Sequence, residues 1–294
     1  MSERPIAERL RLKMCRLVAY QGRPLALEDL IVTPSHSLVE QSQHASEAKF
    51  AVQGDGFGIA WYDGEGRGPG VYRDVLPAWS DGNLPSLCRM IRSPLFMAHV
   101  RASTTGETTR QNCHPFSHGR WSFIHNGQIP DIVRIRRPLE TLLSDELYEA
   151  KRGNTDSELM FLLLLQFGLE RDPPAAIRKA LSVIRQHSCW GRGWNACRFA
   201  CVLSDGERLL AFRTSSDGRA PTLYRRVGEA VLASEPLDGQ ENGWLALPEN
   251  RLLVATKGKV MEMALEEEGE MSLAGKALGA TYARHLHSKR LPRW

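Results

Sequence analysis

Cys15 is the residue whose type and position in this sequence most directly suggest chemistry. It follows Met14 and precedes an alternating apolar run that begins at Arg16. If synthesis starts at Met14 and this methionine is removed, Cys15 carries both a thiol and a free α-amino group. An amine with an ordinary pKa of roughly 7.7–8.0 can take the thiol proton near neutral pH, and the thiolate is a strong nucleophile. A lone cysteine at the start of a strand is more often an ordinary core residue, so the interpretation depends on the rest of the chain.

Two charged residues further along the chain could hold the two ends of an amino acid. Arg101 is the last residue of a predicted strand, and its planar guanidinium suits a carboxylate held by two hydrogen bonds. Asp156 ends the run Asn154-Thr155-Asp156 and could bind an ammonium group. Each residue also has a structural interpretation, because Arg101 could form an ion pair and Asp156 could be the N-cap of a helix.

Two histidine-containing segments supply further candidates. In His125-Asn126-Gly127, an amide side chain beside a glycine N–H provides a usable pair of donors for an oxyanion. The alternative is a tight turn, since Asn-Gly is a strong turn dipeptide. His114, in the run 113–116, could act as an acid or a base, although a structural role is favoured.

A metal site is a weaker alternative. Four potential ligands lie close in sequence, namely His187, Cys189, Cys197 and Cys201. Their spacing lacks the paired C-x₂-C pattern of structural zinc sites, and the last two fall in or beside a predicted strand. Zinc therefore stays an unfavoured hypothesis.

The elements that must position these residues point to an α+β fold. Residues 199–203 and 208–212 alternate as strands and flank Asp205-Gly206, which is the signature of a hairpin. Strands of this kind occupy both halves of the chain, and residues 25–32 have helical spacing. Predicted helices are grouped between the halves, over residues 139–150, 157–167 and 175–187. Hairpins with segregated helices favour antiparallel sheets over a doubly wound parallel sheet.

Length and composition restrict the class of protein. The chain has 294 residues, of which 42% are hydrophobic and 24% charged, enough for one large domain. No apolar run is long enough to span a membrane, and residues 1–13 lack the apolar core of a secretory signal. The six cysteines show no disulfide-scaffold spacing, so we expect reduced thiols and a cytoplasmic location. A net charge of +4 gives no reason to expect a nucleic-acid or membrane partner.

Together the motifs are more specific than any one of them. They occur in the order seen in class II glutamine amidotransferases, around Cys15 and over residues 99–106, 112–116, 125–127, 154–156 and 233–236. The chain resembles this branch of the N-terminal-nucleophile hydrolases from about Cys15 to Thr256. The runs 34–38 and 55–58 look most like the stand-alone members, which include the γ-glutamyl amidohydrolase of ergothioneine synthesis.

The resemblance implies a fold and a set of roles. The implied fold is a four-layer αββα sandwich, with two antiparallel sheets between helix layers. Cys15 is the implied nucleophile with its α-amine as base, and Asn126 with the Gly127 N–H is the implied oxyanion hole. Arg101 holds the substrate α-carboxylate and Asp156 the α-ammonium. Four residues match the motif around Arg101 and are counted as substrate-binding without a defined role, namely His99, Thr104, Thr105 and Gly106.

We therefore expect a cysteine-dependent amidohydrolase that cleaves glutamine or a γ-glutamyl compound through a thioester, without metal or organic cofactor. Two alternatives stay open: a glutaminase subunit that delivers ammonia to a separate synthase, and a non-catalytic sensor of glutamyl compounds. The amidohydrolase-like domain is expected over residues 15–265, followed by a C-terminal extension over 266–294. Residues 1–14 are expected to be absent from the working protein or removed from it. One small departure from the family is Ser103, where many members carry alanine.

Overall fold

The computed structural model describes residues 15–47, 52–103, 107–188, 190–191, 195–238, 241–256 and 259–265. The proposed leader, residues 104–106, Cys189 and the proposed C-terminal extension lie outside these ranges.

Strands and helices are numbered separately in chain order. Strands β1–β13 cover Arg16–Ala26, Phe57–Tyr62, Gly70–Asp74, Arg92–Val100, Phe116–His118, Trp121–Gln128, Arg198–Ser204, Arg208–Ser215, Tyr224–Arg226, Ala230–Ala233, Trp244–Ala246, Arg251–Thr256 and Lys259–Ala264. Helices α1–α7 cover Glu28–Ile31, Leu38–His44, Leu84–Met90, Ile132–Glu140, Asp145–Ala150, Asp156–Gln166 and Pro173–His187.

The strands form two antiparallel sheets. The first has seven strands in the order β11-β9-β10-β1-β4-β2-β3, and the second has six in the order β13-β12-β8-β7-β6-β5. Each strand pair in the second sheet joins neighbours along the chain, apart from the crossover that brings β12 beside β8. The prediction of antiparallel sheets built largely from hairpins is confirmed.

Alternation along the strands creates the layers. In β1, Val18 packs in a cluster with Leu30 of α1, whereas its neighbour Leu17 packs in a cluster with Ile124 of β6, between the sheets. On the far side of the second sheet, Phe161 of α6 stacks on a phenylalanine of β6. Burying each such side chain contributes roughly 1.5–3 kcal/mol. The result is the expected four-layer αββα sandwich.

One local expectation is wrong near the start of the chain. Residues 25–32 have helical spacing, but helix α1 covers only Glu28–Ile31, because β1 continues through Gly22 to Ala26. A bulge between Gln21 and Leu25 lets Leu25 and Ala26 pair with β4 again. Cross-strand pairing therefore outweighs the local helical pattern.

The strand ends bring the candidate residues together. Arg16, the first residue of β1, lies opposite Val100, the last residue of β4, so Cys15 and Arg101 leave the same end of the first sheet side by side. Gly127 lies near the end of β6 in the facing sheet, and Asp156 is the first residue of α6.

Candidate active site

Cys15 is half-buried immediately before β1. Its Sγ lies 3.3 Å from the Ala102 backbone N–H nitrogen, which donates to it, and 3.6 Å from the Ala102 carbonyl oxygen. Burial raises the pKa of the Cys15 thiol and Asp156 adds to the rise, whereas the Ala102 hydrogen bond, Arg101 and Arg16 lower it. Burial outweighs the lowering contributions, so the thiol needs a base before it can attack.

Arg101 is buried just beyond β4, on a backbone fixed by its neighbours. Its N–H donates to the Gly56 carbonyl at 2.8 Å, and its carbonyl accepts from the Asp55 N–H at 3.0 Å. The guanidinium Nη1 lies 3.4 Å from the Asp55 carbonyl oxygen, and Asp55 Oδ2 accepts from the Ser103 N–H at 2.7 Å. Asp55 therefore positions both Arg101 and the segment that follows it, a role that the sequence analysis did not anticipate.

Asn126 lies inside strand β6, which excludes the tight-turn interpretation of Asn-Gly. Side chains alternate along the strand, so Asn126 shares with Ile124 the face toward the first sheet. Its side chain is completely buried, and neither its Nδ2 nor its Oδ1 has a hydrogen-bond partner among the described residues. An amide left unpaired in this way is available to an incoming ligand atom.

Gly127 is required by its conformation and its surroundings. Its φ of +151° is one that residues with a side chain rarely adopt. A Cβ at this position would collide with the Arg198 carbonyl oxygen and lie 2.5 Å from His125 Nε2. Only glycine therefore allows β6 to pass this close to β7.

Asp156 begins α6 but does not cap it. The cap is Thr155, whose side chain accepts from the Glu158 N–H at 3.1 Å. Asp156 is buried, and its Oδ2 accepts from the Ile129 N–H at 2.7 Å while its Oδ1 accepts from the Ser157 N–H at 2.9 Å. These two backbone donors fix the carboxylate and leave acceptor sites on both oxygens, because a carboxylate offers about four lone-pair positions.

One small cavity joins most of these groups. Its walls are formed by Cys15, Arg101, Ala102, Ser103, His114, His125, Gly127, Thr155, Asp156 and Ser157. A thiol, a cation, a carboxylate and a glycine backbone from four separate segments therefore face a common space. This combination suits a substrate that carries both an α-carboxylate and an α-ammonium group beside an acyl carbon.

Two of the described candidate residues are not among those that line this cavity. Asn126 and His99 are fully buried but are absent from the lining. The ring of His99 lies 4.2 Å from that of His114, centroid to centroid. Burial lowers the pKa of His99 to about 3 and that of His114 well below its usual value, so both rings are neutral near pH 7. The remaining three candidates, Thr104, Thr105 and Gly106, lie outside the described residues.

Comparison with known proteins decides the family. Residues 25–226 match the family described as glutamine amidotransferases class-II. The probable glutamine amidotransferase DUG3 of Saccharomyces cerevisiae is 31% identical over 84% of this chain and 83% of its own length. The chain belongs to the class II glutamine amidotransferases. The resemblance inferred from the motifs is confirmed, and the chain is an enzyme of this family.

Other relatives support the assignment of this chain to the class II glutamine amidotransferases. The gamma-glutamyl-hercynylcysteine sulfoxide hydrolase of Mycolicibacterium smegmatis is 29% identical, over 82% of this chain and 95% of its own. The structure of a glutamine aminotransferase class-II domain protein from Silicibacter pomeroyi superimposes with a TM-score of 0.66 and 35% identity, covering 86% of this chain and all of that one. The family match includes Arg101, Gly127 and Asp156 but begins after Cys15.

Behind Cys15, this amidotransferase contains a buried ion pair that sequence reasoning had not assigned. Arg16 Nη1 donates to the Cys15 carbonyl at 2.9 Å, and Arg16 Nε lies 2.7 Å from Glu235 Oε1. The Glu235 carboxylate also lies 2.7 Å from His36 Nε2 and accepts from the backbone N–H groups of Ser46 and Glu47, each at 2.9 Å. The only sequence signal was the position of Glu235 in one of the shared motifs.

The described residues hold no group of three or more His, Cys, Asp or Glu side chains arranged to bind a metal, and Cys189 of the unfavoured zinc hypothesis lies outside them. None of the described helices is long and apolar enough to cross a membrane.

Proposed function

We propose that this enzyme hydrolyses the γ-glutamyl amide bond of glutamine or of a γ-glutamyl compound, with Cys15 as the nucleophile. The observation that carries the proposal is the single cavity lined by Cys15, Arg101, Gly127 and Asp156. The name of the Mycolicibacterium smegmatis relative, a γ-glutamyl hydrolase, supports the choice of substrate class.

Two fixed charges would hold the amino-acid end of the substrate. The Arg101 guanidinium would bind the α-carboxylate, and Asp156 the α-ammonium, both from the cavity wall. Because the two groups are attached to different segments, only a ligand with both charges at the right separation satisfies them together. The glutamyl chain would then place its δ-carbonyl beside Cys15 Sγ.

The first half of the reaction forms an acyl-enzyme. A free α-amine on Cys15 takes the thiol proton, and Sγ attacks the δ-carbonyl carbon to give a tetrahedral oxyanion. The Asn126 amide, which has no partner among the described residues, and the Gly127 N–H would donate to this oxygen. The C–N bond then breaks, the leaving nitrogen takes the proton from the Cys15 ammonium, and a γ-glutamyl thioester remains.

Water completes the cycle. The α-amine removes a proton from water, whose oxygen attacks the thioester carbon through the same oxyanion geometry. The C–S bond breaks, Cys15 recovers its proton, and the glutamyl group leaves with a free γ-carboxylate.

The mechanism requires a processed N-terminus. In the Met14–Cys15 peptide bond the nitrogen of Cys15 is an amide and cannot act as a base. We therefore propose that the working enzyme begins at Cys15. Removal of Met14 after a start at that residue is the simplest route, and cleavage of a propeptide is the alternative.

Two forms of the protein test the proposal, one beginning at Cys15 and one retaining residues 1–14. Only the first should release glutamate from glutamine or a γ-glutamyl amide, and hydroxylamine should divert its thioester to the hydroxamate. Cys15→Ser in the same form is the matched control, with hydrolysis severely reduced and glutamine binding retained. An active protein that still begins at Met1 contradicts the α-amine mechanism, and glutamine binding without turnover by the first form favours the sensor alternative.

A further inference from the structure

His125 is a buried cavity residue that the mechanism above does not use. Its Nδ1 lies 2.9 Å from Ser157 Oγ, and its Nε2 lies 3.2 Å from the Arg198 carbonyl oxygen. The ring is stacked near Phe199, with centroids 5.5 Å apart and planes inclined by 24°. It therefore connects β6, directly before the oxyanion residues, with the start of α6, where Asp156 lies.

The partners of the ring define its protons. A carbonyl oxygen only accepts, so the hydrogen of a neutral His125 ring lies on Nε2 and points at Arg198. Nδ1 is then an acceptor, and Ser157 must donate its hydroxyl proton to it. Burial lowers the pKa of His125 although Asp156 raises it, which favours the neutral ring.

The Ser157 hydroxyl has a second possible acceptor. Its Oγ lies 3.3 Å from Asp156 Oδ1, compared with 2.9 Å from His125 Nδ1. One hydroxyl carries one proton, so it donates to the carboxylate only when it does not donate to the histidine. Asp156 Oδ1 already accepts from the Ser157 backbone N–H at 2.9 Å, and a further donor would occupy the lone pair left on this oxygen, so that only Oδ2 could still accept from a ligand.

We propose that His125 is a positioning residue that holds the Ser157 hydroxyl proton away from Asp156 Oδ1 and so keeps both oxygens of this carboxylate open to the substrate α-ammonium group. The inference rests on the proposed function, in which Asp156 is the ammonium site. The Ser157 hydroxyl can donate either to His125 Nδ1 or to Asp156 Oδ1, and the neutral His125 ring selects the state in which both Asp156 oxygens can accept from the ammonium group.

A double-mutant cycle measures this selection in the enzyme that begins at Cys15. His125→Phe keeps an aromatic ring near Phe199 but removes the acceptor, so Ser157 turns to Asp156. We expect its KM for glutamine to rise about tenfold with a smaller change in kcat, the size expected for one hydrogen bond to a charged group. In a Ser157→Ala background the same substitution should raise KM by less than about twofold, because no hydroxyl is left to turn.

The second substrate is glutaric acid monoamide, which is glutamine without its α-amino group. For this amide, the kcat/KM of His125→Phe should lie within about twofold of the value for the unsubstituted enzyme, because the amide has no ammonium group to contact Asp156. His125→Asn is the conservative control, since its amide oxygen can accept from Ser157, and it should restore most of the affinity for glutamine. Equal effects of His125→Phe in both Ser157 backgrounds, or on both substrates, overturn the proposal.

Two readouts keep the outcomes separate. If the unsubstituted enzyme does not distinguish glutamine from the monoamide, the ammonium role of Asp156 in the proposed function fails first. Nitrogen-15 NMR of the unsubstituted protein tests which ring nitrogen of His125 carries the proton. This measurement needs no variant, so it remains valid if a variant does not fold. Pyrrole-type Nε2 with pyridine-type Nδ1 is expected, and a proton on Nδ1 at neutral pH would falsify the proposal.

Discussion

Glu235, just beyond strand β10 of the first sheet, and Asn126, in strand β6 of the second, are both buried polar side chains, but their surroundings differ. Glu235 is 1% exposed, and its carboxylate contacts Arg16, His36 and two backbone N–H groups. Asn126 is fully buried, yet its amide has no hydrogen-bond partner among the described residues.

The difference in hydrogen bonding suggests that Glu235 serves mainly stability and that Asn126 serves mainly activity. A satisfied buried carboxylate contributes to one fixed arrangement, whereas an unpaired buried amide costs about 1–3 kcal/mol until a ligand supplies its partner. The side of the site that holds Cys15 is therefore fixed by satisfied contacts. The side of Asn126, which we propose receives the oxyanion, retains unused hydrogen-bonding capacity among the described residues. Substitutions on the two sides should have opposite effects on stability.

Glu235→Ala should have the largest effect on stability. It leaves the buried Arg16 guanidinium without its carboxylate, and we expect the free energy of unfolding to fall by about 3–5 kcal/mol in urea denaturation. A loss below about 1 kcal/mol would break the comparison by showing that the pair adds little.

The double variant Arg16→Leu with Glu235→Leu is the matched control. Replacing the whole pair by apolar side chains should recover much of the lost stability. The kcat/KM of the double variant should be lower than that of the unsubstituted enzyme, because the Cys15 carbonyl has lost the Arg16 donor that fixes it. Full recovery of activity would mean that Arg16 does not position the nucleophile.

Asn126→Ala should lower kcat by about 10²–10³-fold, equivalent to roughly 2.7–4 kcal/mol of transition-state stabilisation. Its free energy of unfolding should stay equal or rise, because the Asn126 side chain makes no hydrogen bond with the described part of the chain. The control is Asn112→Ala, at a buried asparagine whose Nδ2 and Oδ1 both bond to Asn154 at 2.9 Å. The control should destabilise the fold, and equal destabilisation by both variants would remove the distinction drawn above.

Arg101→Lys lies between these cases, because Arg101 is buried but faces the cavity. A point ammonium cannot reproduce two parallel hydrogen bonds to a carboxylate. We expect kcat/KM for glutamine to fall by an amount equivalent to about 1.5–3 kcal/mol, mainly through KM. Steady-state kinetics check this, and an unchanged value would place Arg101 outside the substrate site.

Local patterns were sufficient to predict much of the fold. The hairpin at Asp205-Gly206 joins β7 and β8 as expected, and a helix begins at Asp156, although its N-cap is Thr155. The continuation of β1 past Gly22 was missed, because pairing of Leu25 with Ser93 of β4 is a non-local contact. Sequence periodicity carries no information about such a partner.

In the site, too, local patterns predicted some features, and contacts between distant segments were missed. Residue types and motif order identified Cys15, Arg101 and Asp156, which the structure brings to one cavity. The pairing of Arg16 with Glu235 joins segments far apart in sequence, and no local pattern predicts which acid meets that guanidinium. Supporting contacts are therefore harder to predict than the groups that face the cavity.

His99 sharpens the comparison with a third kind of buried polar group, a neutral imidazole beside His114. Unfolded histidine gains a proton below about pH 6.5, whereas folded His99 stays neutral until its pKa of about 3. In that window the unfolded state binds more protons, so the contribution of His99 to stability is complete above pH 6.5 and is lost as the pH falls. Between about pH 7.5 and about pH 5.5 the difference amounts to about 1.4 kcal/mol for one such group.

Urea denaturation of the unsubstituted protein and of His99→Gln at these two pH values isolates that contribution, because every other ionisable group is the same in the two proteins. The variant should lose about 1.4 kcal/mol less on acidification than the parent. The difference in free energy of unfolding between His99→Gln and the unsubstituted protein at the higher pH measures any change in packing around His114. An identical loss in both proteins would mean that His99 accepts a proton in the folded state. The buried ring would then be a charged group like Glu235 and not a neutral one like Asn126.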